Sequence, residues 1–492
     1  MNYFYKSKYI IWLTYGLIFT YFTQLMLKSL SLGGRWELNE QIAFGDRVVN
    51  GISSYANGIT DLFFPSSPYF PGVGYLSAFF QYIGINNIYI NNQLMLIIAV
   101  SVGFIYFILL KKLTKKLYPT IPNIVIYFTL ILFFITHFSL YIYYMKEFKP
   151  DTILLLLATL IFLILEKDKK IPFTHIGMVA ILLFIATFFK QSFFIVYFLA
   201  FLLIYTNNFF TLKEKVTILL SYAFIGLFAL YLIFNIENLY YFTVEILGQH
   251  PMNDGYTHFL NYRQGFDNNK IFLLVLMYFL IKSHKQFSIQ ESKSKYFLFT
   301  LVWFIFAAIS TAKSGGNIGN FEVGVIVFIP FVIYTLHNAF KRYYSDKSFY
   351  ILVLIVLALM LTLNLAGLAK GTLKLKRTIQ TNQISAKYLH ENFNNKSAFI
   401  DGETYILAKM AGLNILTETT TIGHFNYILD YDMSHIKNAL NEQKYDLIFL
   451  KKEPAYFEDI NIVKIMNSRY KIFIDENMPS YLKNKILIRS EK

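Results

Sequence analysis

Residues Ser31–Leu76 read SLGGRWELNEQIAFGDRVVNGISSYANGITDLFFPSSPYFPGVGYL, and they belong to a polar segment, 31–92, between two stretches greasy enough to span a bilayer. Glu37, Glu40, Asp46 and Asp61 stand in it with Arg35 and Arg47, beside the turn-rich SSPYFPG at Ser66–Gly72. A chain that only needs to cross the membrane joins its first two spans by a short turn. A long acidic segment there points to a folded, irregular loop carrying a reaction site at the membrane surface.

The composition sets the frame. The chain is 55% hydrophobic and only 15% charged, against about 25% charged in soluble domains, which makes it a polytopic membrane protein. Without Cys there is no thiolate nucleophile, disulfide or Cys-based metal site. The +15 formal charge does not indicate nucleic acid, because Lys and Arg fall mainly in short loops between apolar stretches. The opening MNYFYKSKYIIWLTYGLIFTYFTQLML reads as a retained signal-anchor, with a long apolar run and no small-residue cleavage site after it.

A helix needs about 20 apolar residues to cross the hydrocarbon core. On that measure about eleven spans are expected, at 9–30, 93–110, 122–144, 152–166, 174–189, 192–206, 216–235, 271–283, 296–311, 321–340 and 348–368. Alternate loops are lysine-rich: Lys111, Lys112, Lys115 and Lys116; Lys167, Lys169 and Lys170; Lys213 and Lys215; Lys282, Lys285, Lys293 and Lys295; Lys341, Arg342 and Lys347. The positive-inside rule assigns these loops and the N-terminus to the cytoplasm, and the first long loop, the 236–270 loop and the C-terminal segment to the other side. The expected fold is therefore an all-α polytopic membrane bundle, residues 1–369, followed by a small extracytoplasmic α/β domain, 370–492. In that domain SAFIDG (Ser397–Gly402), NILTE (Asn414–Glu418), YDLIFL (Tyr445–Leu450), YKIFIDE (Tyr470–Glu476) and NKILIRS (Asn484–Ser490) read as strands, with helical stretches at 383–393 and 432–442. The basic GTLKLKR, Gly371–Arg377, reads as a solvated linker that could alternatively grip anionic headgroups.

Five elements on the expected outer face carry polar residues. They are the Glu37/Glu40/Asp46 loop, Met145–Asp151, Phe189–Ser192, the 236–270 loop with Arg263, and Lys313–Glu322. Lys149, Lys190, Arg263 and Lys313 can hold a phosphate at headgroup level while apolar spans hold a lipid tail, and Glu37 or Glu40 could take a proton from a hydroxyl. Ionisable residues at a span's edge must be paired or solvated, which singles out Lys190 and Glu322. Plainer roles are open as well: Lys149-Pro150-Asp151 suits a helix start, and Lys190 could snorkel to the interface. His250 and His258, eight apart, lack the geometry of a helical two-His motif, so no metal ligand set is expected; a divalent ion is possible without being indicated.

These residues, taken in order, resemble the GT-C superfamily of integral-membrane glycosyltransferases, which includes protein mannosyltransferases and the aminoarabinose transferase acting on lipid A. Trp36-Glu37 stands where the family has its acidic motif after the first span, with Trp in the place of the usual leading Asp, and Gly51 closes the interval where the resemblance implies a helix ending in Gly. Tyr55 and Ser67-Pro68-Tyr69-Phe70-Pro71 correspond to the family's tyrosine and proline. Lys149-Pro150-Asp151 is similar to a basic-Pro-Asp motif, Phe189-Lys190-Gln191-Ser192 to a Lys-Gln-Ser/Thr motif, and Lys313–Glu322 to a shortened glycine-rich segment. The resemblance implies a polyprenyl-phosphate sugar as donor, a glycan, lipid or protein hydroxyl as acceptor, membrane lipids as surroundings, and a bacterial inner-membrane location. It implies Glu37 or Glu40 as general base and Lys190, Arg263 and Lys313 on the donor phosphate. Asp46, Tyr69, Lys149, Asp151, Gln191, Asn317 and Glu322 would line the substrate site, and no cofactor is called for. Two other readings stand beside it, a flippase of lipid-linked glycans and a polysaccharide polymerase or ligase. The first would put charges at mid-bilayer in repeated halves; the second would use a large arginine-bearing loop, where this chain has only Arg263 in 236–270.

Overall fold

The computed structural model describes residues 4, 7–32, 36–51, 71–136, 148–167, 169–190, 192–234, 260, 262–264, 270, 273–274, 277–278, 281, 288, 290–312, 323–402, 404–418, 434–450 and 460–490. Its first part is helical: α1 (Lys8–Leu32), α2 (Trp36–Val49), α3 (Gly72–Tyr82), α4 (Ile88–Leu117), α5 (Asn123–Thr136), α6 (Pro150–Leu165), α7 (Phe173–Thr187), α8 (Phe193–Tyr205), α9 (Leu212–Phe234), α10 (Ser292–Ala312), α11 (Ile329–Phe340) and α12 (Lys347–Phe393). Among the described residues α1, α4, α9, α10 and α12 are long and apolar enough to cross a membrane, and α5 to α8 are shorter apolar helices. The expected spans coincide with α1 and α4 to α12, except that the eighth, 271–283, lies largely outside the described residues.

Within hydrocarbon every backbone polar group must be satisfied by the helix itself, and hydroxyls along the spans follow the same rule. Thr20 donates to the Gly16 carbonyl at 2.9 Å, Thr159 to Leu155 at 2.8 Å and Thr187 to Leu183 at 3.0 Å. The apolar outer surface, with Trp12, Phe19, Leu220, Phe224 and Leu227 exposed, is the lipid-facing side of an integral membrane protein. Helix ends are punctuated locally. Asn87 caps α4 by accepting from the amides of Tyr89 and Ile90 at 3.0 and 3.2 Å, and Asp346 caps α12 through Ser348 and Phe349 at 2.7 and 3.1 Å.

Two sequence expectations change. The segment 31–92 is not irregular where it is described, because it holds α2 and α3. Leu38 and Ile42, one turn apart, are fully buried, and so are Ala43 and Phe44, so packing stabilises a helix that its polar residues alone would not announce. Gly371–Arg377 is not a linker but part of α12, whose 47 residues run unbroken. At 1.5 Å per residue that is roughly 70 Å, more than twice the hydrocarbon thickness. Leu, Lys and Arg are strong helix formers, and Gly371 is tolerated where the helix lies against Leu27 of α1. The two helices run parallel, Gly16 facing Leu361 and Gln24 facing Gly367.

The C-terminal part is a five-stranded mixed sheet of β1 (Ser397–Ile400), β2 (Asn414–Glu418), β3 (Leu447–Phe449), β4 (Tyr470–Ile472) and β5 (Ile486–Arg489), in the order β2-β1-β3-β5-β4. Each lies inside a stretch expected to be a strand. β1 pairs in parallel with β2 and β3, while β5 is antiparallel to both β3 and β4. Parallel neighbours need a crossover, and α13 (Tyr405–Met410) supplies the one between β1 and β2. α14 (Ser434–Asn441) and α15 (Ile460–Arg469) follow.

Asp446 ties β1 to the turn before β3: its carboxylate accepts from both the amide and the hydroxyl of Ser397 at 2.8 Å and meets Arg489 at 3.1 Å. Burial alone would raise its pKa, but the bonds from Ser397 and the charges of Arg489 and Lys396 outweigh it and hold the group below the usual carboxylate value. A carboxyl depressed in the folded state contributes stability above its unfolded pKa of about 3.9, and that contribution is lost as pH falls through the lower folded value. Hydrogen-exchange protection of β1 should therefore weaken below about pH 4, and Asp446→Asn should weaken it already at neutral pH while flattening the acid dependence. A second expectation concerns the α2–α3 contact. A Cβ on Gly45 would lie 2.8 Å from the Ala78 nitrogen and the Gly74 oxygen, so Gly45→Val should cost about 1–3 kcal/mol or more in thermal unfolding in detergent. Gly177→Ala, with open space around it, should be neutral or stabilising.

Candidate active site

Lys149, Pro150 and Asp151 open α6. Phe148 precedes them with φ of 54° and is buried, a left-handed conformation that is costly for a bulky residue, about 1–3 kcal/mol, and that persists only where its surroundings enforce it. It turns the chain so that Lys149, extended at the N-cap, is followed by Pro150 with its φ already helical. Asp151 then sits in the first turn, where the helix dipole favours an anion.

Lys190 comes from the short turn between α7 and α8, and its ammonium donates to both oxygens of Asp151, at 3.0 and 2.8 Å. The two side chains are 19% and 10% exposed. At that burial, either charge alone would be costly. An ammonium has three N–H groups; two are committed to Asp151, and among the described residues no acceptor is shown for the third. Lys149 is buried alongside, at 9% exposure. Two motifs separated in sequence thus meet at one end of the bundle.

The first loop reaches the same place through its helices. The Gly72 amide, at the start of α3, donates to the Phe188 carbonyl at 2.8 Å, and a Cβ on Gly72 would lie 2.7 Å from that oxygen. Glycine is thus required where α3 abuts the turn carrying Lys190. α3 in turn packs against α2 at Gly45 and at Gly74, whose Cβ would strike the Phe44 ring. Asn91 of α4 braces α3 by donating to the carbonyl and hydroxyl oxygens of Ser77 at 3.0 and 3.1 Å.

α2 is also fastened to the C-terminal domain. Asp46 meets the Lys409 ammonium at 2.6 Å and accepts from the Tyr405 hydroxyl at 3.1 Å. Asn39 donates to the Gly402 carbonyl at 2.7 Å. Phe44 belongs to the apolar cluster that includes Phe399 and Ile448 of the sheet.

Of the residues expected at the site, Lys149, Asp151 and Lys190 are together. Glu37 and Glu40 lie in α2, with side chains outside the described residues. Asp46 is on α2 with its carboxylate engaged by Lys409 and Tyr405. Arg263 is exposed, and its neighbour Tyr262 donates to the Ala308 carbonyl at 2.6 Å, which brings it to the end of α10 that leads to residue 313. Tyr69, Gln191, Lys313, Asn317 and Glu322 lie outside the described residues. Sequence reading missed Phe148, Gly72, Tyr405 and Lys409. Only the last two had a signal, since parallel β1 and β2 demanded a helix between them.

No protein-family model matches the chain, and no curated protein matches its sequence. Among solved structures it is similar to ArnT from Cupriavidus metallidurans, a crystal structure of the apo state, with TM-score 0.58, 10% identity, and coverage of 98% of this chain and 97% of that one. A likeness at that identity is one of fold. It extends over the membrane helices and the C-terminal sheet alike, so the whole chain has the ArnT-like architecture.

Lys190→Met should leave the Asp151 carboxylate buried and uncompensated, at a cost of about 3 kcal/mol. Adding Asp151→Asn should restore part of it. A double-mutant cycle read by thermal unfolding should give a coupling of about 2 kcal/mol, within the range for directly bonded pairs.

Proposed function

We propose that the protein is a membrane glycosyltransferase that moves a sugar from a polyprenyl-phosphate donor to a hydroxyl of a lipid-linked glycan, a lipid or a protein. The observation that carries this reading is the Asp151–Lys190 pair. It joins two motifs of the GT-C resemblance at the end of the bundle where the acid-bearing first loop packs against Phe188, in a chain whose fold is like that of ArnT. The lysine-rich loops support an orientation with this end outside the cytoplasm and the C-terminal domain on the same side.

In this reaction Glu37 or Glu40 accepts the proton of the acceptor hydroxyl as its oxygen forms the bond to the anomeric carbon. The bond from that carbon to the phosphate oxygen breaks, and the electron pair leaves on the phosphate. Lys190, with Arg263 and Lys313, stabilises that charge. Asp151 orients Lys190 and, with Asn317, Gln191 and Tyr69, contacts sugar or acceptor hydroxyls. Lys149 and Glu322 complete the lining. Asp46 acts from behind, keeping α2 on the C-terminal domain, which covers the site. Attack opposite the departing phosphate gives inversion at the anomeric carbon.

Membranes containing the protein and given radiolabelled polyprenyl-phosphate sugars should transfer label to an endogenous acceptor. Glu37→Gln and Glu40→Gln, made singly, should separate the base from its neighbour, one losing about 10²–10⁴-fold in turnover and the other far less. Full transfer by both would remove the assigned base, and no transfer with any lipid-linked donor would favour a carrier.

A further inference from the structure

At the opposite end of α6 the helix finishes at Glu166, and there the ends of α4, α8 and α10 border an open cavity of about 490 Å³ lined by Lys116, Lys167, Lys293, Lys295, Glu166 and Asn207, among others. The size is that of a small-molecule site, about 300–1,000 Å³. It is separate from the candidate active site: Asp151 and Glu166 are the two ends of one helix, roughly 22 Å apart at 1.5 Å per residue.

Part of the charge is internal structure. Glu166 and Lys295 are both buried, with the Lys295 ammonium 3.0 Å from each carboxylate oxygen. Ser292 donates to the same carboxylate at 2.6 Å, and Lys116 donates to the Glu166 carbonyl. An anion at a helix C-terminus opposes the dipole, so Lys295 and Lys116 are accounted for by Glu166 itself.

Lys167 and Lys293 are not. Among the described residues Lys167 reaches the His175 ring nitrogen, at 3.2 Å, and Lys293 lies over the Tyr118 ring, 5.3 Å from its centroid. Neither has a carboxylate within salt-bridge distance among the described residues. They flank a largely polar cavity whose remaining carboxylate among the described residues is Glu291, and whose apolar lining is Leu117, Pro119 and Phe209. Phe209 lines it and is 49% exposed, with Tyr205 and Leu212 more exposed on the same connection. Ammonium groups with no carboxylate partner among the described residues, beside exposed aromatic and aliphatic side chains, fit a ligand whose head is anionic and whose tail is hydrocarbon, because basic pockets between membrane helices at this level take anionic headgroups.

We propose that this cavity binds the phosphate headgroup of an anionic membrane phospholipid, held by Lys167 and Lys293 above the Glu166–Lys295 pair. The site does not depend on the glycosyl-transfer reading. The test uses the full-length protein in detergent, titrated with phosphatidylglycerol or phosphatidylcholine and read by native mass spectrometry. Phosphatidylglycerol should be retained about tenfold more tightly. Lys167→Gln with Lys293→Gln should remove about fivefold per ammonium, roughly thirtyfold together. Lys213→Gln, at an exposed lysine in the first turn of α9 outside the cavity lining, should change little. Equal retention of the two lipids, an unchanged double variant, or an equal loss in Lys213→Gln would overturn the proposal. So would full displacement of the lipid by glycerol phosphate, since the site would then serve a soluble phosphate. If the double variant unfolds, Lys293→Glu, at an exposed position, gives the same reading.

Discussion

The backbones of α2 and α3 approach so closely at Gly45 that a single added methyl group would lie 2.8 Å from the Ala78 amide nitrogen. Everything proposed for the site depends on that contact. α3 is pinned at its other side by the Gly72 hydrogen bond to Phe188, just ahead of Lys190, so the position of α2 and the position of Lys190 are linked by two successive close contacts without a flexible connection between them. The C-terminal domain closes the arrangement from behind through Asp46, Lys409, Tyr405 and Asn39. Preorganisation of this kind is what electrostatic catalysis requires, because groups that must move into place lose much of their effect.

The second constraint is the low dielectric of the surroundings. α6 carries an acid at each end, and each is matched by a lysine from a distant part of the chain: Asp151 by Lys190, Glu166 by Lys295. At the N-terminal end the dipole adds to the pairing; at the C-terminal end it opposes the carboxylate, and more cations gather there. That asymmetry explains why one end forms a compact ion pair and the other a basic cavity. Lysines that the sequence offers as a topological signal thus also serve the helix end, Lys295 and Lys116 binding Glu166.

Much of this was legible in the sequence. The apolar stretches, the five strands, and the order of the Lys-Pro-Asp and Lys-Gln-Ser segments could be read because each is a local property of hydropathy, period or spacing. The helical nature of 72–82 was not legible, and that of 36–49 was implied only by the resemblance, not by the local pattern. Their signal is spread over tertiary contacts at Gly45, Gly72 and Gly74, and glycines in a polar segment read as turns until their neighbours are known. The run Gly371–Arg377 misled for a related reason: its basic composition read as a solvated linker, whereas it continues α12, with Gly371 against Leu27 of α1.

Hydrophobic patterning by itself determined that the chain lives in a membrane and ends in an α/β domain, since burial of apolar surface follows directly from composition and period. It also determined which charged residues had to find partners, because an ionisable group at a span's edge is costly alone. Only the tertiary structure decided who those partners are. Asp46, read as a candidate for substrate, is bound to Lys409, more than three hundred residues away, and Lys190 is bound to Asp151. Pairings of that range depend on how the helices pack in three dimensions, and no periodicity along the chain encodes them.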